Sequence, residues 1–68
     1  MKIVKIDTEW IKLDQALKLG DLVQSGGHAK SVIQDGLVKV NGIIENQRGK
    51  KIKVDDIIEF EKNKIIIK

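Results

Sequence analysis

The apolar positions change period along the chain, and each change marks a predicted element. From Lys2 to Ile6, charged and β-branched residues alternate imperfectly, which predicts a first strand whose Lys2 and Lys5 discourage edge-to-edge pairing. Thr8 and Glu9 form a polar connection, after which Trp10 and Ile11 are expected to anchor the next element in the core. Leu13, Ala16, Leu17 and Gly20 then recur at helical spacing, predicting a short helix from Leu13 to about Leu19 that Gly20 and Asp21 end. On its outer side Asp14 and Lys18 stand four apart, an expected exposed ion pair contributing roughly 0.2–0.5 kcal/mol. Leu22 and Val23 carry apolar side chains across the joint.

A second helix is predicted from Ser25 as N-cap to Gly36 as stop, with Ala29, Val32 and Ile33 on its buried stripe. Gly27, Lys30, Ser31 and Gln34 project to the opposite side. The period then shortens to two. Val38 and Val40 alternate with Lys39 and Asn41, Asn41 and Gly42 signal a hairpin, and Ile43 to Glu45 begin the return strand. Asn46 to Gly49 reads as an exposed loop. Beyond it, Ile52 and Val54 are expected inward with Lys51 and Lys53 outward, Asp55 and Asp56 make a turn, and Ile58 and Phe60 face the core between Glu59 and Glu61. Lys62 and Asn63 are expected to turn the chain into a last strand carrying Ile65 and Ile67. The sum is an α+β fold: an N-terminal strand, two packed helices, then a small antiparallel sheet of about four strands.

Composition narrows the chemistry. A chain of 68 residues forms one small domain, expected to bury only about 60% of its unfolded surface, which leaves little room for a deep catalytic cleft. The absence of cysteine excludes disulfides, zinc–thiolate sites and thiol nucleophiles. No apolar run approaches membrane-span length, and Lys2, Lys5 and Asp7 interrupt any signal-peptide core, so the expectation is a cytosolic monomer with no membrane partner. Thirteen basic residues against ten acidic ones give a formal charge of +3 and favour an anionic partner. With only Trp10 and Phe60 aromatic, stacking of successive single-stranded bases is nearly excluded, so a nucleic-acid partner should be folded or duplex.

Two places concentrate cationic chemistry. Ser25, Gly26 and Gly27 leave backbone N–H groups open at a helix start, and Lys30 follows one turn later, so this start can be a plain cap or can hold a phosphate. Arg48, Lys50, Lys51 and Lys53 form the densest basic cluster; such a run is either a solvated strand face or a second set of phosphate contacts. His28, the one histidine, has no cysteine or carboxylate cluster beside it in sequence and is read as a surface residue. Catalytic residues, metal ligands and cofactors are expected to be absent.

Taken in order, these words resemble a known family, the small RNA-binding domain named after the fourth protein of the small ribosomal subunit and also called the alpha-L motif. Lys12-Leu13-Asp14-Gln15 with Leu17 and Lys18 looks like its opening helix. Ser25-Gly26-Gly27 with Ala29-Lys30 looks like its second helix, Val38 with Val40-Asn41-Gly42 like its strand and hairpin, and Asp56 with Ile58 like its closing turn and strand. The resemblance covers nearly the whole chain and is closest to compact stand-alone bacterial members. It implies a non-catalytic module contacting structured RNA, ribosomal or transfer, with possible ribosomal-protein contacts, through Lys12, Ser25, Gly26, Gly27, Lys30, Arg48, Lys50 and Lys51. Four positions depart from the pattern: Lys12 and Gln47 stand where arginine is common, Asp55 where glycine is usual, and His28 where glutamate or glutamine is common. Lysine keeps the charge but loses the bidentate fork. The competing classes are a protein-interaction or assembly domain meeting an acidic surface, and a DNA-binding helix-turn-helix whose outward face offers Lys30, Ser31 and Gln34 but no arginine.

Overall fold

Both helices form where the sequence places them, and each closes with the same device. The computed structural model describes residues 1–68. Helix α1 (Leu13–Leu19) buries Leu13, Ala16 and Leu17, and α2 (Gly26–Gln34) buries Ala29, Val32 and Ile33. The two apolar faces pack on each other. At the end of α2 the Gly36 N–H donates to the Ile33 carbonyl and the Leu37 N–H to the Val32 carbonyl, with Gly36 at φ +73°. This is a Schellman closure, and the left-handed residue it requires is a glycine. At the end of α1 the Asp21 N–H donates to Lys18 and the Leu22 N–H to Leu17, so the left-handed residue there is Asp21, at φ +57°, and not Gly20. Gly20 serves packing instead: a Cβ added to it would lie 2.9 Å from Ile65 Cδ1.

Five strands form a mixed sheet in the order β1-β7-β6-β3-β4: β1 (Lys2–Val4), β3 (Val38–Val40), β4 (Ile43–Ile44), β6 (Ile57–Phe60) and β7 (Asn63–Ile67). β7, β6, β3 and β4 form the expected antiparallel sheet of four strands, and the first strand joins its edge in parallel to β7. β1 is thus an edge strand, as Lys2 suggests, but it ends at Val4, so Lys5 lies beyond it. Asn41 and Gly42, at φ +53° and +84°, form the two-residue turn between Val40 and Ile43. A separate two-stranded ribbon pairs β2 (Trp10–Lys12) with β5 (Lys51–Lys53). Fifteen buried apolar residues from both helices, Val23 between them, β5 and the sheet make one hydrophobic cluster.

Four local expectations need correction. Trp10 is not a core anchor: it lies in β2 and is 38% exposed. Val54 points outward because β5 ends at Lys53 and the chain turns there. Asp14 does not pair with Lys18; its Oδ1 accepts from the Gln15 N–H at 2.8 Å, and the two ion pairs present are Lys2–Asp21 and Lys68–Asp55. The last hairpin turns at Glu61 and Lys62, since Phe60 is paired with Asn63.

Glu61 adopts φ +57° at the first position of that turn and makes neither a side-chain hydrogen bond nor an ion pair. A non-glycine residue there carries about 1–2 kcal/mol of strain, while glycine loses about 0.5–1 kcal/mol more on ordering. Glu61→Gly is therefore expected to stabilise the protein by up to about 1.5 kcal/mol. Thermal unfolding checks this, and an unchanged or lowered midpoint contradicts it.

Candidate nucleic-acid interface

The start of α1 is stitched to the basic loop by its own backbone. The Leu13 N–H donates to the Lys50 carbonyl at 2.9 Å, and the Asp14 N–H donates to the Arg48 carbonyl at 3.2 Å. The Lys12 N–H donates to Gln15 Oε1 at 3.1 Å. Donors that a helix start leaves open are thereby occupied, so this end of α1 has no free N–H array for an anion. The consequence is geometric. Lys12, Arg48, Lys50 and Lys51, spread over forty positions in sequence, become neighbours, and each side chain is exposed and outside both ion pairs.

The β2/β5 ribbon extends this group. Trp10 is opposite Lys53, Ile11 opposite Ile52, and Lys12 opposite Lys51. Directly opposed residues share a face, so Ile11 and fully buried Ile52 turn to the core while Trp10, Lys12, Lys51 and Lys53 turn to solvent. Lys51 Nζ sits 4.8 Å from the Trp10 ring centroid, a cation–π contact of about 0.5–1 kcal/mol at an exposed site. Sequence reasoning assigned Trp10 to the core, and it counted Lys53 in the basic cluster but not among the contacts that the family resemblance implies. The available signal was the alternation of Trp10 and Lys12 around Ile11, matched by Lys51 and Lys53 around Ile52.

The second candidate group keeps its donors free. Ser25 Oγ accepts from the His28 N–H at 3.1 Å, and the Gly26 and Gly27 N–H groups have no partner within the protein. Neither glycine has a neighbour that a Cβ would strike, and Ser25, Gly26, Gly27 and Lys30 are all exposed. The group stands apart from the first. Asn46 Nδ2 donates to the Ile33 carbonyl at 3.3 Å, so the 46–48 segment bridges the C-terminal part of α2 to the start of α1. Gly26 is seven residues from that bridge along α2, roughly 10 Å at 1.5 Å per residue.

Two further features bear on the reading. His28 is exposed, its ring edge-on to Phe60 at 6.3 Å, and no three His, Cys, Asp or Glu side chains gather as a metal-binding group. The largest concavity, about 590 Å³, runs from Lys2 and Gly20 to Ile65 and holds none of the eight candidate residues. It is an open cleft, and its Lys2 is engaged by Asp21.

The family model described as the S4 domain matches residues 4–68. The chain belongs to the S4 domain family. It is also similar to a protein of Bacillus subtilis (strain 168) named probable ribosome maturation protein RlbA, at 48% identity over 58 residues, covering 85% of this chain and 82% of that protein.

The structure gives each S4-domain word a physical task. Asn41 Nδ2 donates to Asp56 Oδ1 at 3.0 Å and Asn41 Oδ1 accepts from the Ile57 N–H at 2.9 Å, tying the hairpin to the closing turn. Asp56 Oδ2 accepts from the Lys53 N–H at 2.8 Å, which fixes the end of the basic strand. Asp55, where the family usually has glycine, holds φ +77°, the left-handed conformation that favours glycine; its carboxylate meets Lys68 Nζ at 2.6 Å. His28, in place of glutamate or glutamine, leaves the Ser25 cap intact and removes only the reciprocal half of a capping box. No helix is long and apolar enough to cross a membrane.

Proposed function

We propose that this S4-domain chain is a single, non-catalytic RNA-binding module that takes part in ribosome maturation in the cytosol, gripping phosphates of structured ribosomal RNA as a monomer. The observation that carries the reading is the cluster of Lys12, Arg48, Lys50 and Lys51, gathered by backbone hydrogen bonds onto one surface and left without carboxylate partners. Such cations release counterions when they neutralise phosphates, the dominant sequence-independent source of affinity for nucleic acid. The free Gly26 and Gly27 N–H groups with Lys30 supply the second grip, a helix start that favours anions by geometry and dipole. Two grips about a helix length apart select RNA by shape. The ribosomal context comes from the similarity to the ribosome maturation protein.

The test is titration of the purified protein with structured ribosomal RNA fragments at several salt concentrations, with duplex DNA and an acidic protein as competitors. RNA binding that weakens with salt and survives both competitors is expected. A Lys30→Glu plus Lys51→Glu variant should lose most of that affinity. Absence of binding at low salt, or unchanged affinity in the variant, overturns the proposal; displacement by the acidic protein would instead favour an assembly domain.

A further inference from the structure

The outer face of the β2/β5 ribbon carries Trp10, Lys12, Lys51 and Lys53, an arrangement that packing alone does not explain. Lys12 and Lys51 are directly opposite, and like charges in that position oppose strand pairing. No carboxylate forms an ion pair with either, or with Lys53. The one tryptophan sits among these cations at 38% exposure, while the fully buried core is aliphatic. A large ring kept partly in water beside three unpaired ammonium groups matches a ligand that is flat and aromatic at one point and anionic beside it.

We propose that this face binds one unpaired nucleobase of a structured RNA, stacked on the Trp10 indole, with the flanking phosphates held by Lys12, Lys51 and Lys53. The proposal rests on the RNA-binding reading and deepens it by naming the RNA feature recognised: a bulge or a flipped base within a folded region. Stacking on an aromatic ring is available to every base, so the contact reads the presence of an unpaired base and not its identity. One base is the limit on this face, because Trp10 is its only ring: Phe60 is buried, and the exposed His28 lies on α2, edge-on to Phe60. Lys51 Nζ, 4.8 Å from the ring centroid, marks how closely the cation and the stacking platform are placed. On the arrival of RNA its flexible stem lets the ammonium leave the ring for a phosphate. An apolar protein partner fits this face poorly, since three cations would be desolvated without counter-charge.

Because Trp10 is the only tryptophan, its fluorescence reports the contact without ambiguity. The full chain is titrated with a blunt RNA duplex and with the same duplex carrying one bulged adenosine. Both are expected to bind at low salt, with strong quenching of Trp10 emission by the bulged RNA alone. Trp10→Leu should weaken binding of the bulged RNA by about 10- to 100-fold while leaving the blunt duplex unaffected, and Trp10→Phe should restore most of the loss. Circular dichroism of both variants confirms that the fold is retained. Equal quenching by the two RNAs, or bulged-RNA affinity unchanged in Trp10→Leu, overturns the stacking proposal while leaving RNA binding in place. Failure of either RNA to bind at low salt overturns the RNA-binding reading and the stacking proposal together.

Discussion

Ile58→Ala is expected to remove about 2–5 kcal/mol of stability, the range for deleting a large aliphatic side chain from a packed core. Ile58 is fully buried in β6, the middle strand of the five, with Val40 on one side and Ile65 on the other. At about 0.05–0.15 kcal/mol per residue a chain of this size holds roughly 3–10 kcal/mol in total, so the substitution takes a large share of it. There is no disulfide or metal-binding cluster to compensate. Urea denaturation should show a much lower midpoint or a chain that is largely unfolded at room temperature. Ile58→Val, which removes one methyl group, should lose only about 0.5–1.5 kcal/mol. A loss below about 1 kcal/mol for Ile58→Ala would show that the sheet can collapse around the site and that the core is less tightly packed than its burial indicates.

The second large effect concerns binding. Reversing Arg48 and Lys51 together to glutamate is expected to weaken binding of structured RNA by about two orders of magnitude or more. Charge-assisted hydrogen bonds contribute about 1.5–3 kcal/mol each, and reversal adds repulsion to their loss. Neutral replacement of the same two residues by glutamine should flatten the slope of log affinity against log salt by about 2, roughly one unit for each phosphate no longer neutralised. Lys2→Gln makes a suitable control: Lys2 is already paired with Asp21 at 3.2 Å, away from the cluster, and its removal should leave the slope unchanged. Both reversed side chains are exposed, and relief of the Lys51–Lys12 repulsion offsets the loss of the Lys51–Trp10 cation–π contact, so stability should change by less than about 1 kcal/mol. Fluorescence anisotropy across a salt series, beside thermal unfolding of the same variants, separates lost binding from lost folding. An unchanged slope would move the interface away from this cluster.

These two predictions draw on parts of the molecule that are unequally legible in the amino-acid sequence. The core strands, the two helices and the Asn41–Gly42 turn are written in local signals: helical spacing of Leu13, Ala16 and Leu17, alternation of Val38 and Val40, and residues that tolerate positive φ at the turn. The Glu61–Lys62 turn lacked such a signal, because Glu61 adopts its left-handed conformation without the glycine or asparagine that would announce it. Strands β2 and β5 have three residues each, too few for alternation to stand out from chance, and their pairing joins positions about forty residues apart.

The candidate site divides along the same line. Ser25, Gly26, Gly27 and Lys30 lie within one turn and a half of a single helix, and Arg48, Lys50 and Lys51 within one short segment, so local sequence was enough to name them. That Lys12 joins the second group, and that Trp10 belongs with it instead of the core, follows from the Leu13-to-Lys50 and Asp14-to-Arg48 hydrogen bonds and from the ribbon register.

By itself, then, the sequence determined the class of fold, the Ser25 cap, the Asn41–Gly42 turn, the aliphatic core and the family words, because these depend on periodicity and on backbone preferences within a few residues. Only the tertiary structure decided that the first strand runs parallel to the last, that α1 uses its open donors to hold the basic loop, and that one tryptophan faces outward among three lysines. Each of those outcomes depends on which distant backbone donor finds which acceptor, and a pairing shifted by one residue would turn Trp10 to the core face and Ile11 to solvent.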